Sequence, residues 1–428
     1  MISRSMYMFQ TFQLMPGVTL RCVEAVRFKQ GCLSIQFLRP MCREEASVNA
    51  LIPSILLRGT VRRPNLRAIT QHLDDLYGAS VGEMVRRVGD YQTVGLYFGF
   101  IEDRFALTGD RVLEPILDFA KELLLEPLVS NGGFYPEYVA GEKRNLIANI
   151  ESQLNDKRAY AANQLMKKMC SADTFGIPRL GTKEDVQTVD PVAAYEHYQR
   201  LLTESPVEVF YVGSADPKII ADKVCDIFSS VYRYPITLPQ HTPFCDGGGG
   251  DYVENMEISQ GKLCMGFTTP ITVSRDDFAA MQVFNSLFGA GMTSKLFNQI
   301  REKLSLCYSI GSGYYGGKGI LTVSAGIDSD KSELVKREIL NQLQNCCDGG
   351  ITETELTAAK ESILSALRGV YDSPGAIESY EFVMAVGKTP LTTEEYRQKI
   401  QSVDLSRVIE AAKTLTLHTT YFLKGGEA

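Results

Sequence analysis

Apolar and polar positions follow two rhythms along this chain. The stretches LSIQFLRP (33–40) and VGLYFGFI (94–101) are short runs rich in branched and aromatic residues, the pattern of strands buried on at least one face. Between them, NALIPSILLRGT (49–60) and NLRAITQHLDDLYG (65–78) place apolar residues every three or four positions, which predicts two helices. The first is expected to end at Gly59, although Pro53 stands inside it, where a proline removes a backbone donor and crowds the preceding turn.

The same order returns later. LCMGFTTP (263–270) reads as a strand, a helix follows that ends at Gly289, TSKLFNQIREKLSL (293–306) reads as a second helix, and GILTVSAGI (319–327) as another strand. At a constant offset of 230 residues, Leu33, Phe37, Pro40, Ala50, Leu57, Gly59 and Leu66 match Leu263, Phe267, Pro270, Ala280, Leu287, Gly289 and Leu296. After a one-residue shift, Tyr77 aligns with Tyr308. Helical spacing continues in residues 110–127, 138–169, 332–347 and 353–372. The expected fold is therefore α+β: two homologous domains, each a largely antiparallel sheet with helices on one face, forming a clamshell. Residues 236–250 (ITLPQHTPFCDGGGG) have no periodicity and end in four glycines, so they read as a linker between domains at 1–235 and 251–428.

Composition narrows the class. A length of 428 residues suits two domains, and the net charge of −7 is spread along the chain, which gives nucleic acid no basic surface. No apolar run approaches the ~20 residues of a membrane span, and the N-terminal stretch has no secretory pattern, so a cytoplasmic location without membrane association is expected. The ten cysteines are scattered without a Cys-x-x-Cys pair, as expected of reduced thiols. His72, His197, His241 and His418 lie far apart, with no pair at metal-ligand spacing. The glycine-rich run 311–319 lacks phosphate-loop spacing and is followed by a strand, so a hairpin loop is expected.

The duplicated halves, LLRGT (56–60), EKRNLIANIESQLNDKRAY (142–160), FGIPRLGTKEDV (175–186) and GAGMTSKLFNQIREKLSLCYSIGSG (289–313) together resemble the pitrilysin/insulinase family of inverted zinc-motif metallopeptidases. The resemblance extends to the inactive subunit of paired bacterial members. Active members carry His-x-x-Glu-His just before a Leu/Phe-Lys/Arg-Gly-Thr ending, and a further Glu on a downstream helix completes the zinc site. Registered on Gly59 and Thr60, the resemblance places Ala50 and Ser54 at the histidine positions, Pro53 at the general base and Asn149 at the third ligand. These four are read as degenerate metal-site positions that cannot hold zinc, so the chain is expected to have no cofactor and no catalytic residue of its own. Pro53 is then packing, released from chemistry. Gly82 and Glu83 stand where active relatives carry the Asn-Ala pair of a substrate-gripping strand. Glu142 and Glu151, on a helix with Lys143 and Arg144, are expected to lie on a solvated charged face.

On spacing alone, Arg301 is a charge near a helix end and Tyr308 opens a strand. The resemblance gives them a further role, since the family's C-terminal domain projects a matching Arg and Tyr toward a facing zinc site. The implied function is a non-catalytic subunit of a zinc metallopeptidase heterodimer, inactive alone, which completes a peptide chamber and lends Arg301 and Tyr308 to a homologous zinc-binding partner that acts on peptide or unfolded polypeptide. Two alternatives stay open: a standalone, non-hydrolytic peptide-binding or holding protein, possibly homodimeric, and an enzyme of other chemistry around Arg301, Tyr308 and Cys307.

Overall fold

The computed structural model describes residues 8–389 and 391–426. Two compact units divide it, and they are not consecutive halves. One comprises residues up to 151, 178–240 and 370–386; the other comprises 152–177, 241–369 and the chain from 387 onward.

The first unit holds a six-stranded sheet in the order β1 (Met8–Met15), β2 (Val18–Glu24), β8 (Val207–Gly213), β3 (Gln30–Pro40), β5 (Tyr91–Ile101), β4 (Ser80–Val88). A separate short hairpin joins β6 (Val129–Ser130) to β7 (Gly133–Phe134). One sheet face, formed by alternate residues such as Leu33, Ile35 and Phe37 of β3 with Val94, Leu96 and Phe98 of β5, is buried in the main core. Against it lie α1 (Arg43–Leu56), α2 (Leu66–Asp75), α3 (Leu113–Leu125), α7 (Pro191–Glu204) and α8 (Pro217–Phe228). α4 (Pro136–Ser152) and α6 (Lys183–Thr188) complete the layer. Asp190 and Asp216 cap α7 and α8, each followed by a proline whose missing donor costs nothing at that position.

The second unit repeats the plan. Its sheet runs β11 (Ser309–Tyr315), β12 (Ile320–Ile327), β10 (Gly261–Thr268), β13 (Thr416–Gly425), β9 (Gly250–Met256). Set beside β4, β5, β3, β8 and β2, the order is the same, and the same neighbours are parallel: β2 with β8, β9 with β13. Leu33 and Leu263, and Phe37 and Phe267, are buried at matching places, so the 230-residue repeat reflects real duplication. The main helical face carries α9 (Phe278–Phe288), α10 (Ser332–Cys347), α11 (Glu353–Val370), α13 (Thr393–Ser402) and α14 (Leu405–Lys413). The glycine-rich run forms the β11–β12 hairpin.

Each sheet also carries one helix on its reverse face, drawn from the opposite half of the sequence. In the first unit this is α12 (Pro374–Val386), whose Phe382 and Val386 pack with Leu38, Tyr91 and Phe210, while Ile377 packs with Cys32 and Val212. In the second it is α5 (Lys157–Met169), whose Ala161 and Leu165 pack on Cys264, Tyr421 and Leu423. The helical stretch 138–169 accordingly breaks at 153–156, where Asp156 caps α5, and its two parts serve different units. Residues 236–249 have no regular structure but are anchored: the Ile236 amide bonds Glu204 O, and the Cys245 amide bonds Asp173 at 2.9 Å.

Candidate functional site

α1 runs past Pro53, and the amide of Leu57 returns a bond to Pro53 O at 3.2 Å. Ala50 and Pro53 are buried and Ser54 is half-buried. Asn149 is exposed on α4. These positions offer a methyl, a pyrrolidine ring, a hydroxyl and a carboxamide, none of which is a strong zinc donor. Glu142, expected on a solvated face, is instead buried at 8% exposure; Arg58 pairs with it at 3.3 Å and Asn145 donates to it at 3.1 Å. Its helix turns this residue toward the end of α1, where the Arg58 guanidinium also lies over the Tyr138 ring. Glu151 does lie at the surface, paired with Lys183. Among the described residues, no three His, Cys, Asp or Glu side chains converge as a metal-holding group. The donor set at α1 does not fit zinc.

What α1 holds instead is a buried polar chain that sequence reasoning did not find. Asn49 donates to Gln92 Oε1 at 2.9 Å, and His197 Nε2 bonds Asn49 Oδ1 at 2.7 Å. Gln92 Nε2 in turn donates to the carbonyls of Ala46, at 2.9 Å, and Arg179, at 2.7 Å. Because Arg200 donates to His197 Nδ1 at 2.9 Å, that nitrogen accepts and Nε2 carries the proton. Burial is the main cause that pushes His197 down to about 4, so the imidazole is neutral. The available signal was Asn49 itself, a polar residue within the apolar run VNALIPSILL.

In the second unit, Arg301 lies on a π-helical turn, Phe297–Lys303, closed by the five-residue bond from the Leu304 amide to Gln299 O. Its guanidinium lies over the Phe297 ring at 4.6 Å and 3.6 Å from Glu302. Tyr308 precedes the edge strand β11 and is 58% exposed. Its hydroxyl donates to Asp328 at 2.8 Å, and Lys331 pairs with the same carboxylate at 2.7 Å. That bond to Asp328 holds the phenol above its ordinary range. Between the two residues, Cys307 is buried and its thiol is pushed up to about 11 by desolvation, against a smaller opposing effect of Arg301. A thiol held protonated makes a poor nucleophile. The structure thus puts Ala50, Pro53 and Ser54 on one helix and Arg301 and Tyr308 on either side of Cys307.

Comparison with known proteins bears on the family and the fold. Residues 189–363 match the family model of the peptidase M16 inactive domain. The Bacillus subtilis (strain 168) protein described as "Probable inactive metalloprotease YmfF" is 28% identical over 411 residues, 96% of each chain. The chain thus resembles inactive M16 peptidase homologues. Its fold matches a conserved protein from Enterococcus faecalis V583 with a TM-score of 0.90 at 28% identity, covering 98% of this chain and 99% of that one. A peptidase M16 inactive domain from Pseudomonas fluorescens matches with a TM-score of 0.81 at 18% identity, over 98% and 99% of the two chains. The resemblance to the pitrilysin/insulinase peptidases and the α+β fold therefore stand, and the proteins this chain is similar to include ones described as inactive members of that group. Among the described residues, no helix is long and apolar enough to cross a membrane.

Proposed function

We propose that this chain is the metal-free, non-catalytic subunit of a two-chain zinc metallopeptidase. It completes a peptide chamber beside a homologous chain that carries the zinc motif, and it lends Arg301 and Tyr308 to hydrolysis there. The observation that carries this reading is a contrast within one chain: the α1 positions are closed by packing and lack metal donors, while Arg301 and Tyr308 keep their polar atoms within reach of solvent. A guanidinium can hold a substrate carbonyl in its planar fork, and a phenol can donate to a developing oxyanion; neither act requires the chain to own the metal. In this arrangement the Tyr308 proton, now given to Asp328, turns to the oxyanion as negative charge builds there.

The test is purification of the chain alone and together with a homologous chain bearing His-x-x-Glu-His, with bound zinc and peptide hydrolysis measured for each. Hydrolysis confined to the mixture, and lowered by Arg301→Ala or Tyr308→Phe, is the expected result. Stoichiometric zinc and hydrolysis by this chain alone would defeat the proposal.

A further inference from the structure

β4 is the outermost strand of the first sheet, so one row of its backbone groups faces away from β5. Which row is fixed by the hairpin. Val88 and Tyr91 flank a two-residue turn and form a hydrogen-bonded pair, as do Arg86 and Thr93 two steps back. Val81, Glu83, Val85 and Arg87 occupy the alternate places, where N–H and C=O point outward. An extended peptide adding to this edge would need those groups.

The Val85 carbonyl is already taken. Arg179 Nη1 donates to it at 2.6 Å, a charge-assisted bond. Arg179 is not a freely swinging surface arginine, because its own carbonyl accepts from the buried Gln92 at 2.7 Å. The loop is pinned again at Gly181, whose φ is +72° and where a Cβ would lie 1.8 Å from Ser47 Oγ on α1. The polar chain beside Ala50 thus ends in a guanidinium laid across the sheet edge, and the loop backbone behind it is held at both ends.

We propose that Arg179 is a clasp that closes the β4 edge to incoming strands. With Val85 occupied, the edge is split into Val81 and Glu83, an exposed charge, on one side and Arg87 on the other, and neither piece offers enough consecutive outward-facing positions to hold an added strand. The inference rests on β4 and its neighbours alone and is independent of any partner chain.

The experiment uses the full chain and a short fluorescein-labelled peptide of alternating threonine and valine, with binding read by fluorescence anisotropy. Arg179→Ala is expected to bind the peptide at least about tenfold more tightly than the unaltered chain, the scale of one charge-assisted bond. Adding Glu83→Pro should abolish that gain, because proline removes an outward-facing donor and no bond to β5. Arg179→Gln, which keeps a polar stem without the charge, should fall between the two and serves if the alanine variant is unstable. Equal binding by the unaltered chain and both Arg179 variants would overturn the proposal. So would a gain that survives Glu83→Pro.

Discussion

Glu378 and Arg86 meet in a two-point ion pair, with Nη2 2.8 Å from Oε2 and Nη1 3.2 Å from Oε1, although 292 positions separate them in the sequence. The carboxylate is wholly buried on α12 and also accepts from Ser34 at 2.7 Å and Gln36 at 3.1 Å. It converts a helix that could slide on an apolar surface into one with a single seat. Glu378→Ala leaves the half-buried Arg86 guanidinium and the buried Ser34 and Gln36 donors without their acceptor, and should cost about 2–4 kcal/mol in urea unfolding. Glu378→Gln should cost less, and proteolysis should become faster within 370–386 in both variants.

The second unit has its own buried pair, Lys318 with Asp173 at 3.0 Å, both side chains 1% exposed. Buried ion pairs can often be exchanged for apolar residues with little loss. This one should resist, because Asp173 also accepts from the amides of Phe175, at 2.8 Å, and Cys245, at 2.9 Å. Lys318→Met with Asp173→Leu is therefore expected to remain at least about 2 kcal/mol less stable than the unaltered chain, the cost of orphaned amides. Full recovery in the double variant would contradict this.

His197 predicts an acid-sensitive term in stability. Its folded pKa, about 4, lies below the ordinary 6.5, so the unfolded chain binds a proton that the folded chain refuses between these values. The contribution is whole above pH 6.5 and is lost as pH falls toward 4, on the order of 3 kcal/mol in all. Urea midpoints measured from pH 7 to pH 4.5 should fall more steeply for the unaltered chain than for His197→Gln.

Tyr308→Phe separates structure from function. The hydroxyl is exposed and bonded to a surface carboxylate, so its loss should change stability by no more than about 0.5 kcal/mol. If Tyr308 donates to an oxyanion in a partner's site, hydrolysis by the mixed chains should drop about 100-fold.

Zinc offers a direct check on α1. Elemental analysis after equilibration with excess zinc and desalting should find far less than one equivalent bound to this chain, and chelation should leave its melting temperature unchanged.

The repeated strand-helix-helix-strand order was legible because Leu33, Phe37, Ala50 and their partners at 263, 267 and 280 serve the same buried faces, and periodicity reports faces. α5 and α12 were not placed, since local spacing identifies a helix but not which sheet it covers, and their partners lie a hundred to several hundred residues away. The π-helical turn at Phe297–Lys303 was read as an ordinary helix because the apolar spacing hardly changes when one residue is added to a turn. At the candidate site, the lack of strong metal donors at Ala50, Pro53 and Ser54 was legible in the residue types themselves, and only the family resemblance gives those positions a meaning. The Asn49, Gln92 and His197 chain was not, because hydrogen bonds among residues so distant leave no periodic trace.

The crossed placement of α5 and α12 makes the chain hard to cut into independent pieces. A nick between 236 and 250 would yield two fragments, each still carrying a helix that belongs in the other's unit. Such fragments should co-purify as one particle, and either one made alone would leave the reverse face of its sheet bare, an invitation to aggregate.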